Sequence, residues 1–156
     1  MKKIILFSLV LISNICSAEV IFDTDDELTN LGIIDENYKY VDLKKATWYF
    51  KTITNNMASM IPVKLNQHIE IADVFFSPFY AATSYRLTND LDQNRLEAFK
   101  LDILSNEQLN ELCKISFQFK FFYANDFKYE IFYKTIDDKI LAKVILDKRK
   151  CKIKNE

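Results

Sequence analysis

The stretch Cys113–Cys151, CKISFQFKFFYANDFKYEIFYKTIDDKILAKVILDKRKC, decides the fold that we predict for this chain. It is rich in Phe and Tyr, and it contains two arms in which the side chains of one face recur every second residue, as in a β-strand. Those positions are Phe127, Tyr129, Ile131, Tyr133 and Thr135 on the first arm, and Ile140, Ala142, Val144 and Leu146 on the second. The segment Thr135–Lys139, with Asp137 and Asp138 at its centre, supplies the turn. The stretch therefore predicts a β-hairpin.

A helix is predicted before this hairpin. Ser105 and Gln108 have the spacing of a capping box, in which the two side chains satisfy free amide groups at a helix start. An apolar stripe with helical spacing follows, made of Leu109, Leu112, Cys113, Phe117 and Phe121. Every second residue from Phe117 to Phe121 is also a Phe, so residues 114–122 fit a strand as well. The cap and the continuous stripe favour a helix to about Lys120.

The first residues have the pattern of a cleavable secretory signal peptide. Lys2 and Lys3 precede an apolar segment, Ile4–Ile12, and Cys16 and Ala18 stand at positions −3 and −1 of an expected cleavage site. We therefore predict that residues 1–18 are removed and that the protein is periplasmic. An alternative makes Cys16 a lipidated residue, although the Ser-Asn-Ile sequence before it fits a lipidation signal poorly. No later segment is long and apolar enough to span a bilayer.

Export decides how the cysteines are interpreted. Cleavage would remove Cys16 and leave Cys113 and Cys151, and two cysteines in an exported chain most simply form a disulfide. Pairing of the two hairpin arms carries Cys151 back toward the helix that holds Cys113, so the bridge is geometrically plausible. The absence of a C-x-x-C motif gives no support for a redox enzyme.

The chain has 156 residues, which indicates one domain with a core of its own. Loss of Lys2 and Lys3 would lower the basic count from 21 to 19 against 22 acidic residues, which gives a net charge of −3. A mildly acidic balance gives no argument for binding nucleic acid or an anionic membrane across the whole surface. Residues 19–41 are acidic and weakly patterned, so we expect a solvated arm, followed by a single domain over residues 42–156.

The domain is predicted to begin with a helix. Asp42 can cap a helix to about Met60, just before Pro62, and its apolar stripe comprises Leu43, Ala46, Phe50, Ile53, Met57 and Met60. Trp48 and Tyr49 widen the stripe. Core packing is one interpretation of these two rings, and an exposed contact for a partner is the other.

Two strands are predicted next, at about Ile69–Phe76 and Phe79–Thr88, joined by a turn at Ser77 and Pro78. The alternation changes parity near residues 72 and 73, which indicates a β-bulge there. Residues 89–104 are predicted to be a loop with at most one helical turn, around Leu96 and Phe99. The expected fold is thus α+β, with the order α-β-β-α-β-β and an antiparallel sheet of about four strands with two helices packed on one face.

The second half of the chain resembles a loose class of small periplasmic α+β proteins. The resemblance covers about residues 61–151 and rests on Pro62, Tyr85-Arg86-Leu87, the aromatic strand Tyr129–Tyr133, and Cys113 with Cys151. Proteins of this class have a proline-ended helix, an aromatic strand, and a cysteine pair that links a helix to the last strand. The resemblance implies a compartment and a disulfide, and no reaction. Cystatin-like and nuclear-transport-factor-like folds are analogous at the level of the fold.

Catalytic and metal-binding constellations are not evident in the sequence. His68 is the only histidine, which excludes a multi-histidine metal site, and no nucleophile-elbow glycines surround Ser59 or Ser77. A single glycine, Gly32, argues against phosphate-cradling loops. The acidic run before Leu28 lacks the glycine and the final Glu of a calcium loop. We therefore expect no enzyme activity, no metal and no cofactor.

Two features remain as candidates for binding a partner. One is the basic C-terminal cluster, made of Lys148, Arg149, Lys150, Lys152 and Lys154. Its interpretation is either a solvated edge that resists strand pairing or a docking patch for an acidic partner or lipid head groups. The other is the surplus of aromatic residues, which form either a partner surface or a second layer under the helices. The candidate surface comprises Lys148, Arg149, Lys150, Tyr80, Phe122 and Tyr123.

The leading hypothesis is a non-enzymatic periplasmic protein that recognises another envelope or exported protein, as an inhibitor, an immunity-type factor or an assembly accessory. The alternative is a carrier or sensor of a small apolar ligand, in a cavity between the sheet and the helices lined by residues such as Phe50, Tyr85 and Tyr129. A hydrolase that uses His68 is the third hypothesis.

Overall fold

The computed structural model describes residues 25–151, and the predicted signal peptide lies outside them. Within these residues, five strands form a single sheet, and five helices accompany it, with helices packed on its inner face. The helices are α1 (Asp25–Asn30), α2 (Leu43–Ala58), α3 (Gln93–Ile103), α4 (Asn106–Ser116) and α5 (Lys120–Ala124). The strands are β1 (Val63–Lys64), β2 (Ile69–Ser77), β3 (Tyr80–Leu87), β4 (Lys128–Lys134) and β5 (Ile140–Leu146). The predicted α+β class is confirmed.

The sheet is mixed, whereas the sequence predicted an antiparallel one. The strands lie side by side in chain order, and β3 pairs in parallel with β4, with Tyr80 opposite Lys128 and Arg86 opposite Lys134. All other neighbours are antiparallel. The short strand β1 adds a fifth member at one edge. The parallel pair arises because three helices lie between β3 and β4, and a long crossover of this kind returns the chain to the end where it started.

The first helix and hairpin follow the prediction closely. The side chain of Asp42 caps α2 by accepting a hydrogen bond from the amide of Lys45 at 2.9 Å. The hydroxyl of Thr54 accepts from the amide of Phe76 at 2.9 Å and donates to the carbonyl of Phe76 at 3.2 Å, which fixes α2 on β2. The predicted bulge is present between Ile71 and Asp73.

The crossover differs from the prediction in two places. Residues 93–103 form helix α3, capped by Asp92, where a loop was expected. Its pattern was weak because Ile103 is the one residue of this helix that is buried. The predicted Ser105 cap is present, with the amide of Gln108 donating to its hydroxyl at 3.3 Å, but α4 ends at Ser116. Residues 114–122 are thus two helices with a break, and the strand interpretation is wrong.

That break allows three aromatic side chains to reach the core. Phe117, Phe121 and Phe122 are all buried, and the ring of Phe122 stacks on Phe127 with centroids 3.8 Å apart. Phe117 lies at the end of α4, and Phe121 and Phe122 lie in α5. The ring centroid of Phe122 is 6.2 Å from that of Phe117 and 4.4 Å from that of Phe121, so both helices contribute to one aromatic cluster.

The expectation of a solvated N-terminal arm is wrong for residues 25–41. Leu28, Ile33 and Ile34 are at most 2% exposed and belong to the main core. The carboxylate of Asp25 accepts from the amides of Lys120 and Phe121 at 2.9 and 3.1 Å, and so caps α5 from 95 residues away in sequence. This segment is therefore packed against α5 as part of the domain.

Candidate protein-binding surfaces

The predicted disulfide between Cys113 and Cys151 is present. It joins α4 to the turn after β5, with the two Cα atoms 5.1 Å apart and 38 residues of sequence separation. Cys151 is buried, and its amide donates to the carbonyl of Asp147 at 2.8 Å. The chain that follows β5 is thereby held against the domain.

Asp147 organises the turn that carries the basic residues. Its carboxylate accepts from the amides of Arg149 and Lys150 at 2.9 and 3.0 Å, and from the guanidinium of Arg149 at 3.1 Å. These bonds, with the amide of Lys150 contributing most, lower the pKa of Asp147 below its ordinary value. The turn is therefore fixed while the side chains of Lys148, Arg149 and Lys150 remain exposed.

A surface groove of about 590 Å³ lies beside this turn, and we call it the basic groove. Its lining consists of Asp126, Lys128, Ile145, Asp147, Lys148, Arg149 and Lys150. Lys148 forms an ion pair with Asp126, while within residues 25–151 the ammonium group of Lys150 has no ion-pair partner. Four cationic side chains thus face two carboxylates, so the groove has a net positive charge.

A buried carboxylate on the open face of the sheet connects the groove to Tyr80. Glu130 is 7% exposed and accepts from Lys128 at 2.6 Å, from Lys143 at 2.8 Å and from the hydroxyl of Tyr80 at 3.2 Å. The hydrogen bond from Lys128, followed by that from Lys143, lowers the pKa of Glu130 to about 2. Tyr80 therefore lies beside the groove, linked to its lining through Glu130 and Lys128.

The six residues of the predicted partner surface do not form one surface. Lys148, Arg149 and Lys150 lie together, with Tyr80 nearby. Phe122 is in the core, where its ring packs on Phe127, so it is not available to a partner. Tyr123, the next residue of α5 after Phe122, is 42% exposed. The sequence showed an aromatic pair and could not show which ring of the pair points inward.

Trp48 is the most exposed aromatic residue within residues 25–151, and the candidate surface omitted it. Ala46 and Phe50, on either side of it in α2, are fully buried, and the helical step of about 100° per residue places Trp48 opposite them. Its side chain is 67% exposed. Tyr49, by contrast, is half-buried and meets the ring of Phe50 edge-on at 5.4 Å. Of the two interpretations given for these rings, core packing therefore applies to Tyr49, and Trp48 is exposed.

The interior residues named for a ligand cavity pack against other side chains of the core. Phe50 is fully buried, the rings of Tyr85 and Tyr133 stack at 5.4 Å, and the hydroxyl groups of Tyr129 and Thr83 are 2.8 Å apart. Burial raises the pKa of Tyr85 well above its ordinary value, and its contact with Tyr129 adds to that.

His68 lies in the loop before β2. One of its ring nitrogens is 2.9 Å from the amide nitrogen of Gln67, and the other is 3.2 Å from that of Asn89. Each ring nitrogen of His68 thus lies beside a side-chain amide.

Within residues 25–151, none of the helices combines the length and the apolar character needed to cross a membrane.

No family model matches the chain, and no curated protein matches it. The comparison with solved structures gives two matches. A candidate secreted protein from Pseudomonas aeruginosa is 9% identical, with a TM-score of 0.52, over 71% of this chain and 96% of that one. A pilotin of the type 2 secretion system from Vibrio vulnificus is 7% identical, with a TM-score of 0.39, over 70% and 94%. At this identity, the first similarity shows the fold alone.

Proposed function

We propose that this protein is a non-enzymatic binding protein of the periplasm that recognises another envelope or exported protein. Its role would be that of an inhibitor, an immunity-type factor or an assembly accessory. The observation that carries the proposal is Trp48, a large ring held outward on a rigid helix. The disulfide supports the compartment, because such bonds persist in oxidising environments.

The position of Trp48 is suited to protein recognition. Trp is among the residues most enriched at the energetic centre of protein interfaces, because its ring buries a large area at little cost in side-chain entropy. Lys44 and Lys51 lie four residues before and three after it, on the same exposed side of α2. An apolar centre with a polar rim is the usual anatomy of an interface.

The test is affinity purification from the native envelope with the purified protein as bait, followed by mass spectrometry. We expect one stoichiometric protein partner, with affinity reduced about 30-fold or more in Trp48→Ala, which corresponds to the loss of about 2 kcal/mol or more that defines an interface hot spot. Leu101→Ala is the matched control, because Leu101 is 72% exposed on a different helix and should leave retention unchanged. Both variants should unfold at the wild-type urea concentration, since neither side chain is buried.

Two results would contradict the proposal. One is equal retention of the partner by Trp48→Ala and wild type. The other is a preparation that yields no protein partner but turns over a small molecule, which would indicate an enzyme.

A further inference from the structure

We propose that the basic groove binds an acidic segment of the partner protein. This inference rests on the proposed function and names the chemistry of a second contact. The whole chain has a net charge of −1, yet the groove gathers Lys128, Lys148, Arg149 and Lys150 around two carboxylates. A local charge opposite to that of the whole protein selects a complementary partner and steers its approach.

Three of the four cations of the groove are available to a ligand, whereas Lys128 is held by Glu130 at 2.6 Å. Lys150 has no carboxylate partner among the described residues, and the side chain of Arg149 is 87% exposed. Lys148 is paired with Asp126, but both side chains are about half exposed, and an ion pair of this kind contributes about 1 kcal/mol at most. A partner carboxylate can therefore take over Lys148 at little cost.

The two carboxylates of the lining do not compete equally for these cations. Asp147 is occupied by the backbone amides of Arg149 and Lys150, so it stabilises the turn itself. Asp126 competes with a ligand for Lys148, and Glu130, which lies outside the lining, holds Lys128 at 2.6 Å. The disulfide at Cys151 and the Asp147 bonds together hold three consecutive cationic residues in one fixed turn. Such preorganisation reduces the entropy that binding would otherwise cost.

The shape of the groove favours a peptide over a lipid surface. It is concave, its volume is sufficient for several side chains, and Ile145 adds an apolar surface to its lining. A bilayer presents a broad anionic plane, which a concave site cannot follow. The carboxylate of Asp126 would also repel lipid phosphates, whereas a peptide can offer it an amide donor.

The test uses fluorescein-labelled hexaglutamate as the probe and fluorescence anisotropy as the measurement. Wild type should bind it, and Lys148→Glu/Arg149→Glu/Lys150→Glu should weaken binding by about tenfold or more. Binding should also weaken between about 50 mM and about 300 mM NaCl, because salt screens exposed charges. The control is Lys64→Glu/Arg95→Glu/Lys139→Glu, which changes the net charge equally at exposed sites outside the groove and should alter affinity less than about twofold.

Three outcomes would overturn the inference. They are the absence of hexaglutamate binding by wild type, equal weakening by both triple variants, and binding to vesicles of three parts phosphatidylcholine to one part phosphatidylglycerol without binding to the peptide. Trp48→Ala should leave hexaglutamate binding unchanged. A partner lost in Trp48→Ala but retained by the groove variant would therefore refute the groove and leave the proposed function standing.

Discussion

The two ends of the described chain are attached to the domain by different means. Residues 25–41 are held by the burial of Leu28, Ile33 and Ile34, and by hydrogen bonds to α5. Residues 147–151 are held by the disulfide of the buried Cys151 and by the hydrogen bonds of the turn around Asp147. Apolar burial stabilises the folded state, whereas a cross-link acts mainly by restricting the unfolded chain. The two attachments should therefore respond differently to reduction, truncation of side chains and acid.

The largest expected effect comes from the disulfide. Cys113→Ser/Cys151→Ser should lower the free energy of unfolding by about 4 kcal/mol, the loop-closure entropy for a bridge that spans 38 residues. Urea denaturation of the variant and wild type measures the difference.

Reduction supplies the control for that variant. A thiol reductant should lower the stability of wild type to that of the double variant and should leave the variant unchanged. Wild-type stability that survives complete reduction would show that the C-terminal turn is held by its non-covalent contacts alone.

Leu28 and Leu31 measure how firmly the N-terminal segment is packed. Leu28→Ala should cost about 3 kcal/mol, because Leu28 is fully buried and its loss leaves a cavity. Leu31→Ala, in the same segment, should cost less than about 0.5 kcal/mol, because Leu31 is 44% exposed. Urea denaturation of both variants distinguishes a packed segment from a solvated arm, for which neither substitution would matter.

The sequence predicted the C-terminal attachment and missed the N-terminal one for a physical reason. Cysteines, an alternating hairpin and a Ser105 cap are local signals, and each was confirmed. Asp25 accepts hydrogen bonds from amides of α5, the first of them 95 residues away, and nothing near Asp25 in the sequence indicates that contact. Ile33 and Ile34 lie between a positive-φ glycine and Tyr38, another positive-φ residue, in a turn without helical or strand periodicity. Their burial therefore had no pattern to reveal it.

The candidate surfaces show the same division between local and long-range information. The clustering of Lys148, Arg149 and Lys150 follows from their adjacency in sequence. The groove beside them depends on Asp126 and Lys128, which β4 brings next to the end of β5. Trp48 and Tyr49 are adjacent and similar in size, so their opposite exposures became clear only from the orientation of α2 on β2.

Asp25→Ala tests the long-range cap directly. Loss of the carboxylate leaves the amides of Lys120 and Phe121 without their acceptor, and we expect a cost of about 1 kcal/mol. Hydrogen exchange should show faster exchange at these two amides. Asp26→Ala is the control, because Asp26 is exposed. Equal exchange rates in the two variants would mean that α5 does not depend on the N-terminal segment.

Among the substitutions expected to destabilise the protein, Asp147→Asn should have the smallest effect, about 0.5–1 kcal/mol, and that effect should depend on pH. Backbone amides lower the folded-state pKa of Asp147 below its ordinary value of 3.8, so the charged form contributes stability above that pH and loses it as the pH falls through the lower, folded value. The difference in stability between wild type and variant should therefore be constant from pH 7 to about 5 and should shrink below about 4. A difference that instead grows on acidification would mean that the carboxylate destabilises the turn, and the groove would then lack the fixed cationic frame assigned to it.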